Sequence, residues 1–447
     1  MECNELINYR PVSNLSFLSK VIEKCVSLQL TNHLRENGLQ ELYQSAYRSA
    51  HSVETALLCV TNDILTALDR KQSVVLLLLD LSAAFDTLDH NIMLRTLENR
   101  LGITGVALKW LKSYLTDRTQ HVSLNGHNSA PARLICGVPQ GSVLGPLLFT
   151  AYMIPLGDII RRYNIQHHFY ADDTQLYFSL NNPDPIQSVT SLDECVCSVK
   201  KWMTLHMLKL NEGKTEMIMF TPRSIPSPTV ILNLCGVDIT SSLTARNLGV
   251  KFDNRMSFES HINKICQSSY IHLRYIARIR KNIPQNVCES IIHAFISSRL
   301  DSCNSLLYDL PDTLIAKLQR IQNAAARILT GTKRFEHITP ILEALHWLPI
   351  RQRISYKLAV TTFKCIKGQA PPYLCNMINL YQPARNLRSQ SQMLLEVAVS
   401  RTKFGNRAFS VAAPRLWNSL PLDLRQMNSL DIFKRKLKAH FFNLAFN

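Results

Sequence analysis

Leu76-Leu77-Leu78-Leu79 runs directly into Asp80. A carboxylate closing a run that apolar is costly unless it is neutral, ion-paired or bound to a cation. A strand-end acid facing water explains Asp80 about as well. Asp172 and Asp173 stand side by side between Phe169-Tyr170 and Leu176-Tyr177, and these β-rich flanks put the acids at a hairpin tip. Adjacent Asp residues also suit turns because Asp bonds its own backbone. The combination goes further: an acid ending one buried strand and an acid pair on a neighbouring hairpin can meet at one sheet edge, where divalent metal answers their repulsion. Oxygen-only ligands suit Mg²⁺, with Mn²⁺ able to substitute. Two such ions can activate an attacking 3′-hydroxyl and stabilise departing pyrophosphate in an in-line phosphoryl transfer. Zinc chemistry is disfavoured: the fourteen histidines include no HExxH pair and no Cys/His set at finger or knuckle spacing. The adjacent His167 and His168 would point to opposite faces of a strand.

These acids need elements to hold them. Unbroken Val and Leu over Ser73–Leu79 suit a strand covered on both faces, and His167–Phe178 reads as the hairpin. Helical spacing runs from Asn14 to Asn37, with Leu18, Val21, Ile22 and Cys25 on one apolar face, and from Ser52 to Leu68. Asp86 and Asp89 open a further helix by capping and it ends near Leu101. Another helix covers Leu108–Leu115, followed by a polar strand over Gln120–Leu124. Glycine and proline between Gly137 and Phe149 give a turn that runs into a helix through Tyr152 and Ile154. Helix returns over Ser191–Leu208 and strand over Glu216–Phe220. The proline-serine segment Pro222–Pro228 marks a loop and a boundary. Beyond Ser257 the spacing is helical, with Ile262, Ile265, Leu273, Ile276 and Ile279 on one face and more helices near 285–299, 312–330 and 351–367.

Composition bounds the class of molecule. With 447 residues and 46% apolar side chains, the chain can bury two or three cores. Its longest purely apolar run, Val74–Leu79, is far too short to span a bilayer. The twelve cysteines show no CxxC pairing, and no signal peptide is visible, so an intracellular protein with reduced thiols, nuclear or cytoplasmic, is expected. The net charge of +17 is regional. Residues 1–254 carry 22 Lys and Arg against 23 Asp and Glu, and residues 255–447 carry 28 against 10. A polyanion is expected to lie on that second part, although a solubilising surface would also be basic.

The acids belong to longer phrases. Leu79-Asp80-Leu81-Ser82-Ala83-Ala84-Phe85-Asp86, Gly137-Val138-Pro139-Gln140-Gly141-Ser142 and Tyr170-Ala171-Asp172-Asp173 resemble, in order, motifs A, B and C of reverse transcriptases. The wording is that of non-LTR retrotransposons, the LINE type, especially the jockey-like branch. Asn8-Tyr9-Arg10-Pro11-Val12-Ser13 and Gln44-Ser45-Ala46-Tyr47-Arg48 resemble its finger motifs. Leu210-Asn211 with Lys214-Thr215-Glu216 resembles motif D, and Asn247-Leu248-Gly249-Val250 the motif that follows. The likeness continues through Leu345-His346-Trp347-Leu348-Pro349 to Leu416-Trp417-Asn418-Ser419-Leu420-Pro421.

The resemblance implies an α/β right hand: a palm sheet with helical fingers over residues 1–254, a helical thumb over 255–334 and a mostly helical basic extension over 335–447. It implies Asp80, Asp172 and Asp173 as catalytic carboxylates and ligands of two Mg²⁺ ions, and Lys214 as the acid that protonates the leaving pyrophosphate. For the nucleotide it implies Phe85 as an aromatic gate against a ribose 2′-hydroxyl, Gln140 and Gly141 beside the incoming nucleotide and template, and Arg48 on the triphosphate. Arg274, Arg278, Arg280 and Lys281 fall within one expected helix facing nucleic-acid phosphates. The implied reaction is RNA-directed DNA synthesis from dNTPs, with an RNA template and a DNA primer provided by target DNA as partners. The chain is expected to lack the upstream endonuclease of complete elements and to have no membrane contact. A group II intron-type enzyme is the rival within the class. The rival outside it is a truncated or domesticated copy that binds RNA without catalysis.

Overall fold

The computed structural model describes residues 12–82, 84–180, 185–222, 230–382 and 392–446. Residues 8–11 of the first finger motif, Ala83, and residues 223–228 of the proline-serine segment lie outside the described residues. The strands that carry the site are β1 (Ser73–Leu79), β2 (Leu81–Ser82), β3 (Gln166–Tyr170), β4 (Asp173–Leu180), β5 (Lys209–Leu210), β6 (Glu216–Phe220), β7 (Ile231–Leu234), β8 (Val237–Ser242), β9 (Thr244–Asn247) and β10 (Val250–Asp253). Six of them form one sheet in the order β7-β8-β6-β1-β4-β3. β6 and β8 run parallel, and the other neighbours antiparallel.

β1 is central and apolar on both faces, as its unbroken Val and Leu require. Val74 and Leu76 enter one core with Ile218, Phe220 and Phe252. Val75, Leu77 and Leu79 enter a second with Phe149, Tyr152 and Phe169. The helices expected at the sheet appear over Val53–Asp69, His90–Asn99, Gly105–Leu115, Gly145–Arg161 and Pro185–Leu205. Ser52 and Thr55 cap the first of these with a reciprocal box, and Asp89 caps the second by accepting from the Ile92 amide at 2.8 Å. The polar strand expected over 120–124 is instead two short strands, Arg118–Gln120 and Ser123–Leu124, each in its own small hairpin.

The first helix, Phe17–Glu36, forms where its spacing puts it but turns the other way. Leu18, Val21, Ile22 and Cys25 are exposed, while Glu23 is buried with Leu30 and Leu34. The reason is electrostatic. Glu23 Oε2 accepts the Val143 and Leu144 amides at 2.7 and 3.1 Å, at the N-terminal end of the Gly145–Arg161 helix, where free amides and the helix dipole favour an anion.

The basic C-terminal half does not stand apart from the sheet. Residues of the Glu259–Ile279, Asp312–Thr330, Ile350–Ile366 and Leu430–Phe446 helices share one continuous core with Leu57, Ile64 and Leu76. That core crosses residues 254 and 334 without a break. Polar joints reinforce it. Asp69 accepts the Thr402 amide and hydroxyl at 2.7 and 2.6 Å, and Asn62 accepts the Ser410 amide at 2.9 Å. Among the described residues no helix is long and apolar enough to cross a membrane.

A shared core predicts shared unfolding. Phe363, fully buried and stacked on Phe433 with ring centroids 4.4 Å apart, lies far along the chain from the sheet. Phe363→Ala should destabilise the whole protein by roughly 3–5 kcal/mol, seen in urea denaturation followed by circular dichroism as one transition moved to lower urea. Two separate transitions, with the second unmoved, would mean that the C-terminal part is an independent unit.

Candidate active site

The acids meet because of strand register. β1 pairs with β4 so that Leu79 faces Thr174, and one step further puts Asp80 opposite Asp173. On its other side β1 pairs with β6 only as far as Leu78 facing Glu216; just before β6, Glu212–Lys214 form a 3-10 turn that sets Lys214 at the strand end. The side chains follow the backbone: Lys214 Nζ lies 3.4 Å from Asp80 Oδ2. Asn211 fixes this edge, its amide donating to the Asp80 carbonyl at 2.9 Å while its own carbonyl accepts from the Lys214 amide at 3.1 Å. β2 and β5 add a short ladder, Leu81 facing Leu210, just beyond Asp80.

Asp172 stands with Ala171 on the two-residue turn between β3 and β4, and Asp173 opens β4, closing that turn by its pairing with Tyr170. Such a turn needs a positive φ, and Ala171 supplies it at 56°, a conformation costing a residue with a Cβ roughly 1–2 kcal/mol. Gln44 offsets that cost. Its Oε1 accepts both the Ala171 amide at 3.1 Å and the Ala46 amide at 2.8 Å. The Asp173 tip is accessible to water, yet enough protein surrounds it that desolvation, followed by the charges of Asp172 and Asp80, pushes its carboxyl up to about 6. Tyr47, exposed on the neighbouring loop, feels the same acids: burial of its hydroxyl and then the Asp172 charge raise it.

Phe85 lies half-buried on Phe149, centroids 4.7 Å apart. Its carbonyl accepts the Val138 amide at 2.8 Å, which draws the glycine-proline turn onto the strand end. Asp86 is not the helix cap expected of it. Both its carboxylate oxygens accept from Gln140 Nε2 at 3.1 Å, so a side-chain amide holds the turn where Asp89 alone does the capping. Gly137, at φ 82°, leaves no room for a side chain, since a Cβ there would come within 2.7 Å of the Asp86 carbonyl. The backbone that approaches Gly141 is that of Ser13, whose amide donates to the Gln140 carbonyl at 2.8 Å.

The basic residues divide. Arg48 turns Nη1 onto the carbonyls of Glu41 and Gln44 at 2.6 and 3.0 Å, so its guanidinium first of all braces the finger loop. Arg274 and Arg278 are exposed on the Glu259–Ile279 helix, and Lys281 is exposed beyond it. Arg280 corrects the expectation of one helix. The α-helix ends at Ile279, Arg280–Asn282 form a 3-10 turn, and Arg280 binds the Leu329 carbonyl at 3.2 and 2.9 Å and that of Ile283 at 3.2 Å. Carbonyls left free near a helix end attract a guanidinium, and sequence spacing gives no sign of that distant partner.

Among the described residues no three His, Cys, Asp or Glu side chains form a ready-made cage for one ion. The donor set nevertheless fits a hard cation. It is all carboxylate, desolvation and then the neighbouring Asp172 and Asp80 charges raise Asp173, and Mg²⁺ takes only one or two protein carboxylates when phosphates and water complete its shell.

Comparison with known proteins agrees with this geometry. The profile of the family described as "Reverse transcriptase (RNA-dependent DNA polymerase)" matches residues 4–252. A probable RNA-directed DNA polymerase from transposon BS of Drosophila melanogaster is 29% identical over 78% of this chain and 39% of its own length. One from transposon X-element of the same species is 28% identical over 75% and 37%, and that from its mobile element jockey is 30% identical over 58% and 28%. The chain thus spans less than half the length of these relatives. A family profile that covers both acidic strand ends and the turn between them, with relatives of this kind, means that the chain belongs to the reverse transcriptase family, on the non-LTR, jockey-like side that its motifs resemble.

Proposed function

We propose that this chain is an RNA-directed DNA polymerase of a non-LTR retrotransposon, transferring nucleotides from dNTPs to a primer 3′-hydroxyl on an RNA template. The observation that carries the reading is the place of Asp80 at the end of β1: the pairing with β4 brings it beside Asp173, and the 3-10 turn before β6 sets Lys214 against its carboxylate. Asp80, Asp172 and Asp173 would hold two Mg²⁺ ions, which when bound supply charge stabilisation for the phosphoryl transfer. Lys214 neutralises Asp80 in the free protein. With a nucleotide present, its exposed ammonium is free to turn toward the leaving pyrophosphate and donate a proton there. Phe85, packed on Phe149, is a stiff wall where a ribose 2′-hydroxyl would press. Gln140 keeps the adjoining turn fixed through Asp86. The exposed Arg274, Arg278 and Lys281 suit phosphates of the template and its primer, including target DNA. Arg48, braced by the loop carbonyls, would meet the triphosphate with its remaining N–H groups.

Primer extension on an RNA template with Mg²⁺ and dNTPs tests the reading. The native chain should extend the primer, and the double variant Asp172→Asn, Asp173→Asn should lose at least about 10³-fold in rate, as expected when charge-stabilising groups are removed from a transfer site. Equal extension by both proteins would refute the assignment, and a folded native chain that binds RNA yet extends nothing would favour the non-catalytic reading.

Asp173 also makes a pH prediction. Its folded value of about 6 lies above that of an ordinary Asp, so the folded protein favours the protonated form and loses stability as pH rises from about 4 through 6. Asp173→Asn should therefore raise Tm at pH 7.5 by about 1–3 °C, and the gain should vanish below about pH 4, where both states hold the proton. Thermal melts of the two proteins across pH decide it. A variant less stable than the native chain at pH 7.5, or a gain independent of pH, would show that the fold does not disfavour the ionised Asp173.

A further inference from the structure

Tyr373, in the C-terminal extension, reaches the finger loop. Tyr373 is 3% exposed and sits among Tyr43, His51 and His168, with ring centroids 6.2, 5.7 and 5.1 Å away. Its hydroxyl lies 2.7 Å from Ser45 Oγ and 3.2 Å from Thr55 Oγ1. Ser45 Oγ in turn lies 2.8 Å from His168 Nε2, and His168, fully buried, is held neutral by a value lowered to about 3, chiefly through burial. The loop that Tyr373 grips is the one that holds the acidic turn. The Ser45 amide donates to the Phe169 carbonyl at 3.0 Å and the Phe169 amide to the Tyr43 carbonyl at 2.9 Å. Gln44, between them, ties down Ala171.

We infer that Tyr373 is a positioning residue for the acidic turn, and that through it the C-terminal extension sets the geometry of Asp172 and Asp173. Three features carry this. Ala171 is in a left-handed conformation that local sequence does not favour, so the turn depends on outside ties. Those ties come from a segment, Tyr43–Ala46, that pairs with the sheet along only a few residues. The opposite side of that segment is filled by the Tyr373 ring and closed by its hydroxyl. Removing the hydroxyl leaves buried Ser45 with one partner fewer and loosens the segment, and the turn loosens with it.

The inference rests on the proposed polymerase only for its catalytic half, so the test reads the turn directly as well. Full-length Tyr373→Phe is compared with the native chain and with Thr402→Val, which removes a hydroxyl bond from another of the extension's joints, at Asp69, and touches nothing near the turn. Amide hydrogen exchange of peptides covering residues 168–175 should be about tenfold faster in Tyr373→Phe and unchanged in Thr402→Val, even where Thr402→Val loses as much Tm. In primer extension, Tyr373→Phe should lower kcat several-fold with the KM for dNTP nearly unchanged, and Tyr373→Phe combined with Ser45→Ala should cost little more than either alone. Native-like exchange across 168–175 in Tyr373→Phe would overturn the inference, as would equal acceleration by Thr402→Val. A native chain that extends no primer would defeat the polymerase reading while the exchange result still decides this one.

Discussion

Like charges do not gather unless something holds them, and at this sheet edge three carboxylates are held together. Their mutual repulsion is visible in Asp173, pushed up to about 6 by desolvation and by Asp172 and Asp80. What opposes it is the burial of β1. Because alternate residues of β1 enter two different cores, a slip of one residue would exchange the faces and expose one set to the wrong neighbours. The register cannot relax to separate the acids without dismantling both cores. Apolar packing thus maintains an electrostatic strain that a cation would relieve.

The same constraint orders the rest of the site. Once Asp80 is fixed, Asn211 bonds its carbonyl and holds the Lys214 amide, so that Lys214 becomes its partner through a 3-10 turn far along the chain rather than through any local sequence relation. The turn carrying Asp172 and Asp173 cannot be stabilised by its own residues, since Ala171 takes a left-handed conformation. Gln44 steadies it from the finger loop. Glu41 anchors that loop: burial alone would raise its carboxyl, but hydrogen bonds from His167 and Arg161 lower it to about 2. Asp86 and Gln140 do for the glycine-proline turn what Gln44 does for the acidic one.

Much of this was legible in the sequence, and for definite reasons. Six consecutive Val and Leu residues after Ser73 make a two-faced strand hard to mistake, and Asp80 stands out against them. The acidic pair with aromatic flanks reads as a hairpin because its alternation is local. What the sequence hid depends on partners far along the chain. Asp86 looks like a cap until Gln140 is beside it. Arg280 looks like a helical phosphate contact until the Leu329 carbonyl takes it. The apolar stripe of the first helix suggests a core face, and Glu23 overrules it by finding helix amides. The strands between Ile231 and Asp253, short and half-exposed, carry too little periodicity to be seen. Nor does regional charge foretell that the basic C-terminal half would share a core with the sheet.

Strand register would assemble a cation site from Asp80 and the acidic turn, with Lys214 standing on Asp80 Oδ2 in the free protein. Binding of Mn²⁺ followed by electron paramagnetic resonance, without nucleic acid or nucleotide, tests it most directly. Asp80→Asn and Asp172→Asn should each weaken binding by about tenfold or more, and Lys214→Ala should strengthen it because a competing cation is removed. Binding unaffected by Asp80→Asn, or weakened by Lys214→Ala, would contradict the account.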